Sequence, residues 1–325
     1  MQKDLDIWQL ILDCKQKGIT IGLMLVLDSA GSSPGRQGFK MAVASDGRLA
    51  GSIGGGIMEY ELVELLRTQT WHQHQKAESR QLVHRKKLTD SPSGMICSGE
   101  QSVVLYPDCF LSEELATETC MAIENYQVES ITFNTTEIKI NAIDEPILSS
   151  YNKDIKHWQY IESIGKHETA YVIGGGHVGL VMSQLLKYLG FYVVTFDERE
   201  NVITMERNTV SDEKIICSYD DLGKHIKSGD LSFVIVMSFS FLTDVKALSA
   251  ILNGSYKYLG VMGSKVKTIN IFQALSEKGF TQESINKITA PIGIDINSQT
   301  PQEIAVSIAA EIIQIKNANL PKGDR

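Results

Sequence analysis

Hydrophobic positions along this chain change their rhythm near residue 169. Before it, LDIWQLILDCKQK (5–17) sets Leu5, Trp8, Ile11 and Leu12 at helical spacing ahead of Gly18, which predicts a helix with Cys14 buried and inert. GITIGLMLVLD (18–28) is a continuous apolar run and predicts a buried strand, followed by a turn-rich loop at 30–38. FKMAVASDGRLAGSI (39–53) predicts two strands joined by Asp46-Gly47, a pair favoured in two-residue hairpin turns. Gly54-Gly55-Gly56 then runs into a helix over 57–70 with Met58, Leu62, Leu65 and Leu66 on one face. Strands over 80–88 and 101–106 flank a loop at 89–100, and a helix over 111–126 precedes a hairpin (127–133 and 137–143) around Asn134-Thr135-Thr136. These elements make an α+β domain over 1–143. Residues 144–168 hold no sustained period and contain Pro146 and paired serines, so the expectation there is a linker.

From 169 onward strands and helices alternate. TAYVIGGGHVGLVMSQLLKYLGFYVVTFD (169–197) reads as strand, tight turn, helix and strand. A strand at 214–217, a helix at 219–227, a strand at 231–237, a helix at 243–252 and a strand at 256–260 follow. The alternation predicts an α/β fold, a Rossmann-like doubly wound parallel sheet over 169–325. The last helix has a start signal in Thr300 as N-cap, Pro301 at N1 and Glu303 at N3. Its small face, Ala305, Ala309 and Ala310, suits close packing within the fold or across a dimer.

Length and charge narrow the classes. A chain of 325 residues suits two domains. A net charge of −8 and pI near 5.5 argue against a nucleic-acid partner, which needs a concentrated basic surface. The short cluster His84-Arg85-Lys86-Lys87 reads as a solvated strand end. No run reaches the roughly 18 apolar residues of a membrane span, and the acidic start MQKDLDIWQL is unlike a signal peptide, so the expected location is cytoplasmic. Five scattered cysteines (Cys14, Cys97, Cys109, Cys120, Cys217) without a CxxC pair fit reduced thiols rather than a disulfide framework or a structural zinc site.

The chemistry concentrates in two glycine turns and one loop. In Gly174-Gly175-Gly176-His177-Val178-Gly179, Gly174 permits a sharp turn, Gly176 lets a phosphate approach the backbone and Gly179 lets the helix pack closely. The helix start offers unpaired N–H groups to an anion. Asp197, 21 residues after Gly176, is placed to accept from a ribose 2′-hydroxyl, and a carboxylate there favours an unphosphorylated ribose. Arg199 and Lys265, in loops at the carboxyl ends of strands, are candidate phosphate contacts, and those loops should converge on one crevice. Gly54, Gly55 and Gly56 form a second anion-binding candidate, with Lys40 and Arg36 nearby in sequence as anion partners or solvated charges. Cys97 sits in a Gly/Ser-flanked loop, where backbone amides can stabilise a thiolate. The competing reading is that both glycine runs serve only tight backbone packing.

Taken together, GSSPGRQGFKMAVASDGRLAGSIGGG with Glu59, MICSGE, VIGGGHVG with DER, YLGVMGSK, APIGIDI and TPQEIAVSIAAEII resemble the XdhC/CoxI family of xanthine dehydrogenase accessory proteins. The resemblance implies a maturation factor. Such a protein binds the molybdenum cofactor, protects it while its terminal sulfur is installed and delivers it to a xanthine-dehydrogenase-like apoenzyme, as a homodimer and with a cysteine desulfurase as a candidate partner. On that resemblance Gly54, Gly55 and Gly56, Cys97 as the metal-side thiolate, and Gly174, Gly176 and Gly179 with His177 are cofactor-binding. A phosphate-tailed pterin dithiolene needs an anion cradle, a flat pocket and a soft ligand. The chain departs from the family in having Ile57 where a cysteine is common after the triple glycine, Cys97-Ser98-Gly99 for Cys-Gly-Gly, and Ser238-Phe239 for Thr-His.

Two other readings stand beside it. The Rossmann half could serve an NAD-dependent oxidoreductase, although no separate substrate domain offers a paired acid and base, such as a histidine with a nearby arginine, and His72, His74 and His84 lie in polar stretches that read as solvent-facing. It could also be a dimerisation scaffold alone.

Overall fold

The computed structural model describes residues 4–31, 33–84, 99–143, 149–152, 158–165 and 167–318. The chain divides into two compact units between residues 166 and 167.

In the first unit, α1 (Leu5–Gln16) buries Ile7, Trp8, Ile11 and Cys14, one face of a helix. It is followed by β1 (Ile21–Gly31), β2 (Lys40–Ala44), β3 (Leu49–Gly51), α2 (Gly56–Arg67), α3 (Gln69–His72), β4 (Glu78–His84) and β5 (Gly99–Tyr106). The strands form an antiparallel sheet in the order β3-β2-β1-β5-β4. β1 reads as an unbroken apolar run because both its faces are covered. Leu23, Leu25 and Leu27 enter one core with Trp8 and Ile11, while Met24 and Val26 enter another with Leu62, Leu66 and Trp71. The β2–β3 connection uses Asp46-Gly47 but is a residue longer than the expected two. Ala44 N–H donates to the Arg48 carbonyl at 3.0 Å and Gly47, at φ 97°, supplies the left-handed position.

The unit continues with α4 (Glu113–Glu124), β6 (Glu129–Asn134), β7 (Ile138–Ala142), β8 (Ser150–Asn152) and β9 (Gln159–Ile164). The last four make a second antiparallel sheet, β7-β6-β9-β8. This corrects the expected linker, since part of 144–168 is strand. β9 escapes pattern reading because its inward positions are Tyr160, Glu162 and Ile164, and a carboxylate interrupts the apolar alternation. Glu162 is inward because it meets the Lys40 ammonium at 2.5 Å.

The second unit follows the alternation. It contains β10 (Thr169–Ile173), α5 (His177–Tyr188), β11 (Tyr192–Asp197), α6 (Ile203–Glu206), β12 (Glu213–Ile216), β13 (Gly229–Val236), α7 (Phe241–Ile251) and β14 (Tyr256–Val261). α8 (Lys265–Glu277), α9 (Gln282–Ile285) and α10 (Pro301–Lys316) complete it, and the helix expected at 219–227 is a 3-10 turn over Tyr219–Lys224. All five strands are parallel, in the order β12-β11-β10-β13-β14, as in a Rossmann-type sheet. Helices cover both faces. Ala170 and Val172 pack with Met182 and Leu186 of α5 and Ala305 and Ala309 of α10, and Tyr171 and Ile173 pack with Leu248 and Ile271 on the other side. The small face of α10 is therefore used inside this unit. Its capping box forms as expected, with Glu303 N–H donating to Thr300 Oγ1 at 3.2 Å and Thr300 N–H to Glu303 Oε2 at 2.9 Å. Among the described residues no helix is long and apolar enough to cross a membrane.

Candidate functional site

The turn between β10 and α5 gives each glycine a separate physical reason. Gly174 has φ 119°, and a Cβ there would lie 2.4 Å from the Met237 carbonyl oxygen at the end of β13. A Cβ on Gly175 would lie 2.8 Å from Met205 Sδ, and one on Gly179 1.9 Å from the Gly174 carbonyl oxygen. At Gly176, the N-cap of α5, a Cβ would meet nothing within 4 Å. Gly174 and Gly179 are thus demanded by backbone packing, and Gly175 is crowded by the Met205 side chain. Gly176 instead borders open space at a helix start, where the first N–H groups lack intrahelical acceptors. Gly179 brings the helix against the turn and also against the sheet, where Val172 Cγ1 of β10 would lie 3.7 Å from an added Cβ. His177, the first residue of α5, is exposed beside this opening.

Asp197 ends β11 and is completely buried. Its Oδ2 accepts from Gly175 N–H at 2.9 Å and Arg199 Nη2 at 2.8 Å, and its Oδ1 from Arg199 N–H at 3.0 Å and Arg199 Nε at 2.9 Å. Burial alone would raise its pKa, but the Arg199 and Gly175 hydrogen bonds outweigh that and hold it below the ordinary carboxylate value. Four donors from within the chain fill the acceptor sites of this carboxylate. As folded, it is committed to the turn and to Arg199 rather than free for a ribose hydroxyl. The Arg199 side chain remains 43 % exposed and lies over the Phe239 ring, 4.6 Å from its centroid.

The rim continues across the ends of β13 and β14. Ser238 N–H donates to Asp244 Oδ1 at 3.1 Å, Ser238 Oγ bonds the same oxygen, and Lys267 Nζ sits 2.5 Å from Asp244 Oδ2. Asp244 is fully buried, so this is an enclosed carboxylate neutralised by one lysine. The loops after Ile173, Asp197 and Met237 do converge, through Gly174 against Met237 and Arg199 against Phe239. Lys265 is exposed at the first residue of α8, and the lysine engaged at the rim is Lys267, two residues on. Sequence reading missed Lys267 because nothing in the local pattern separates it from Lys265.

The amino-terminal glycine turn has a different character. Gly54, Gly55 and Gly56 all have positive φ (129°, 77° and 80°), and a Cβ on Gly54 would lie 2.5 Å from Gly35 N. Glu59, one turn into α2, reaches back over the loop. Its Oε2 accepts from Ile53 N–H at 2.8 Å, Gly55 N–H at 2.9 Å and Ser52 Oγ at 2.7 Å. Buried Gln101 ties the neighbouring loop to the same place, with Ser33 Oγ at 2.7 Å and Gly35 N–H at 3.2 Å donating to its Oε1, and its Nε2 donating to the Ile53 carbonyl at 3.2 Å. One amide of this expected cradle, that of Gly55, and the Ile53 amide just before it already hold a carboxylate. The signal available in the sequence was an acidic residue four positions after Gly55.

Lys40 is corrected outright. It is fully buried, with its ammonium 2.6 Å from Asp4 Oδ2 and 2.5 Å from Glu162 Oε1, and it donates to the Gly38 carbonyl at 3.0 Å. Burial would lower its pKa, but Asp4 and Glu162 outweigh that and raise it, so its charge is spent inside the fold and not on a ligand. Arg36 is exposed. His72, expected to face solvent, is half-buried; its Nε2 lies 2.6 Å from the Leu66 carbonyl and its Nδ1 accepts from Asp108 N–H at 3.3 Å. Cys97, and with it the metal-side expectation, lies outside the described residues, as does most of the basic cluster at 84–87. Among the described residues no group of histidine, cysteine, aspartate or glutamate is arranged to hold a metal, and Cys14, Cys109, Cys120 and Cys217 are free.

Comparison with known proteins bears on both units. Residues 14–80 match the XdhC and CoxI family, and residues 170–312 match the XdhC Rossmann domain. Over 312 residues the chain is 25 % identical to the uncharacterized protein YqeB of Escherichia coli strain K12, covering 95 % of this chain and 46 % of that protein. Over 157 residues it is 22 % identical to a probable xanthine dehydrogenase component of Bacillus subtilis strain 168, covering 48 % of this chain and 46 % of that protein. The chain thus spans about half the length of these curated relatives. The crystal structure of a xanthine dehydrogenase from Bacillus halodurans superimposes with a TM-score of 0.76 at 20 % identity, covering 98 % of this chain and 97 % of that one, a likeness of fold. With residues 14–80 and residues 170–312 each matching a model of one family, the chain belongs to the XdhC/CoxI family.

Proposed function

We propose that this protein is an accessory factor of a xanthine-dehydrogenase-like enzyme, one that binds the molybdenum cofactor, holds it while its terminal sulfur is installed and passes it to the apoenzyme. The observation that carries the reading is family membership in both units, joined to an open helix start at Gly176. The cofactor brings a phosphate, a pterin and a metal-bound dithiolene. Gly176 suits the phosphate, because a Cβ there would meet nothing within 4 Å and α5 offers its first amides there. The amino-terminal turn suits it less, since Glu59 already occupies the Ile53 and Gly55 amides. Cys97 is the proposed soft ligand. A homodimer, a xanthine-dehydrogenase-like partner and a cysteine desulfurase supplying the sulfur belong to the same proposal.

Anaerobic purification with measurement of bound molybdenum tests it. The expected result is stoichiometric molybdenum in the wild type, loss of it in Cys97→Ser, and transfer to an apoenzyme on mixing. A protein that takes up no cofactor, or a Cys97→Ser variant that keeps it fully, overturns the respective part. The NAD-dependent oxidoreductase reading is favoured less by this geometry, because the carboxylate it needs for a ribose is engaged by Arg199.

A further inference from the structure

The geometry points to Arg199 and Phe239 as a stacking platform for a planar, fused nitrogen heterocycle at the carboxyl end of β11, a subsite of the cofactor role proposed above, on which it rests. Three observations combine. First, the guanidinium is held in place. Two of its five N–H groups are donated to the buried Asp197 carboxylate, at 2.9 and 2.8 Å, and the Arg199 backbone N–H adds a third bond to the same group. Second, the guanidinium lies over Phe239 at 4.6 Å, yet the Arg199 side chain is 43 % exposed and Phe239 is 55 % exposed. A large aromatic left in solvent beside a clamped cation presents a flat surface that a heterocycle can cover, because guanidinium and arene both stack on π-systems.

Third, Tyr219 is completely buried, and its hydroxyl makes no hydrogen bond among the described residues. Tyr219 follows two residues after Cys217, whose N–H donates to the Asp197 carbonyl at 3.1 Å, so its residue adjoins this same rim. Buried polar groups are almost always satisfied, and a water or the edge of a ligand can serve a phenol that has no partner among the described residues. The local charge favours a neutral ring over a further phosphate. Around Arg199 stand Asp197, Glu198 and Glu200, with Lys246 shared between Glu198 at 3.1 Å and Asp220 at 3.4 Å. The anionic end of the ligand then belongs at Gly176, and its ring at Arg199.

The shared chemistry is a flat heterocycle, which an adenine nucleotide or a pterin supplies, and the test separates them. The full-length protein is titrated calorimetrically with AMP and, in parallel, with 7,8-dihydroneopterin. The expected result is saturable binding of one of the two, weakened about tenfold or more in Phe239→Ala, retained in Phe239→Tyr, and weakened in Arg199→Lys, which keeps the charge but not the plane. Preference for AMP assigns the platform to a nucleotide and preference for the pterin to the cofactor ring. Binding of neither probe, or equal binding by wild type and Phe239→Ala, overturns the platform. Because Phe239 is exposed, the alanine variant is expected to melt like the wild type. Molybdenum content of each variant is measured separately, so that unchanged cofactor loading with unchanged probe affinity rejects this subsite and leaves the accessory role standing.

Discussion

Glu59 folds back over the glycine turn that precedes it, taking the Gly55 amide at 2.9 Å and the Ile53 amide at 2.8 Å on one carboxylate oxygen. The amino end of α2 therefore carries its own anion. Gly55, at positive φ, turns its amide toward this group, and a third donor, Ser52 Oγ, completes it. Glu59→Ala should lower stability by about 1–3 kcal/mol, the cost of leaving such donors without an acceptor, discounted where water can reach them. Urea unfolding measures this. The same variant frees two amides, so it should gain weak affinity for inorganic phosphate that the wild type lacks at this turn, detectable by amide shifts of Ile53 and Gly55 in NMR titration. A variant as stable as the wild type and equally indifferent to phosphate would show that the carboxylate contributes nothing there.

At Lys40 stability and cofactor binding are expected to separate. Removing its ammonium in Lys40→Met takes the cation they share away from Asp4 and Glu162 in a largely buried site. Breaking a buried pair in this way costs about 3–5 kcal/mol. Molybdenum bound per folded molecule should not change, because the side chain is fully buried among its own partners. Cofactor loss in a correctly folded Lys40→Met protein would restore it to the site.

Acid sensitivity should be visible at Asp197. Its carboxyl is held below the ordinary value, mainly by Arg199 working against burial. A group whose folded pKa is depressed stabilises the fold above its unfolded pKa of about 3.9, and that stabilisation is lost as pH falls through the folded value. Asp197→Asn should therefore be less stable than the wild type at pH 7, with the gap narrowing below about pH 4. Urea midpoints at pH 7, 4 and 3 check the sign. A gap that widens on acidification would mean that the carboxylate is not the stabilised form.

Much of the fold was legible because periodicity and packing agree. β10, α5 and β11 show the expected strand, turn and helix because their apolar positions serve two covered faces of a parallel sheet. β9 was illegible for a specific reason: Glu162 occupies an inward position, and its partner Lys40 lies 122 residues earlier in the sequence. The same long-range pairing hid the fate of Lys40, which looks like a surface charge in any local window. At the candidate site, the glycines were legible because they cluster in two strand-to-helix turns, where positive φ at Gly174 and at Gly54, Gly55 and Gly56 is a local requirement. Lys267 and Tyr219 were not, since their neighbours arrive from other strands and turns. Asp197 was found at the right place but in the company of Arg199, a contact between side chains two residues apart that spacing alone does not reveal.

The sharpest contrast lies within one turn of helix. A methyl group at Gly176 meets nothing within 4 Å, and the residue has φ −72°, a conformation that alanine adopts freely. A methyl group at Gly179 would stand 1.9 Å from the Gly174 carbonyl oxygen, a backbone atom that cannot move without opening the turn. Gly179→Ala should thus lose about 1–3 kcal/mol or more of stability, the range for overpacking a tight site. Gly176→Ala should melt within about 1 °C of the wild type, its stability change falling inside the usual ±0.5 kcal/mol of an uncrowded surface substitution. If a phosphate-bearing ligand seats at the start of α5, the added methyl stands in its way, and Gly176→Ala should bind it about tenfold more weakly, or ~1.4 kcal/mol. Thermal melts and cofactor titration of the two variants side by side separate fold from function. A Gly176→Ala protein that is stable and binds as tightly as the wild type would mean that the open space before α5 is not where the anion sits.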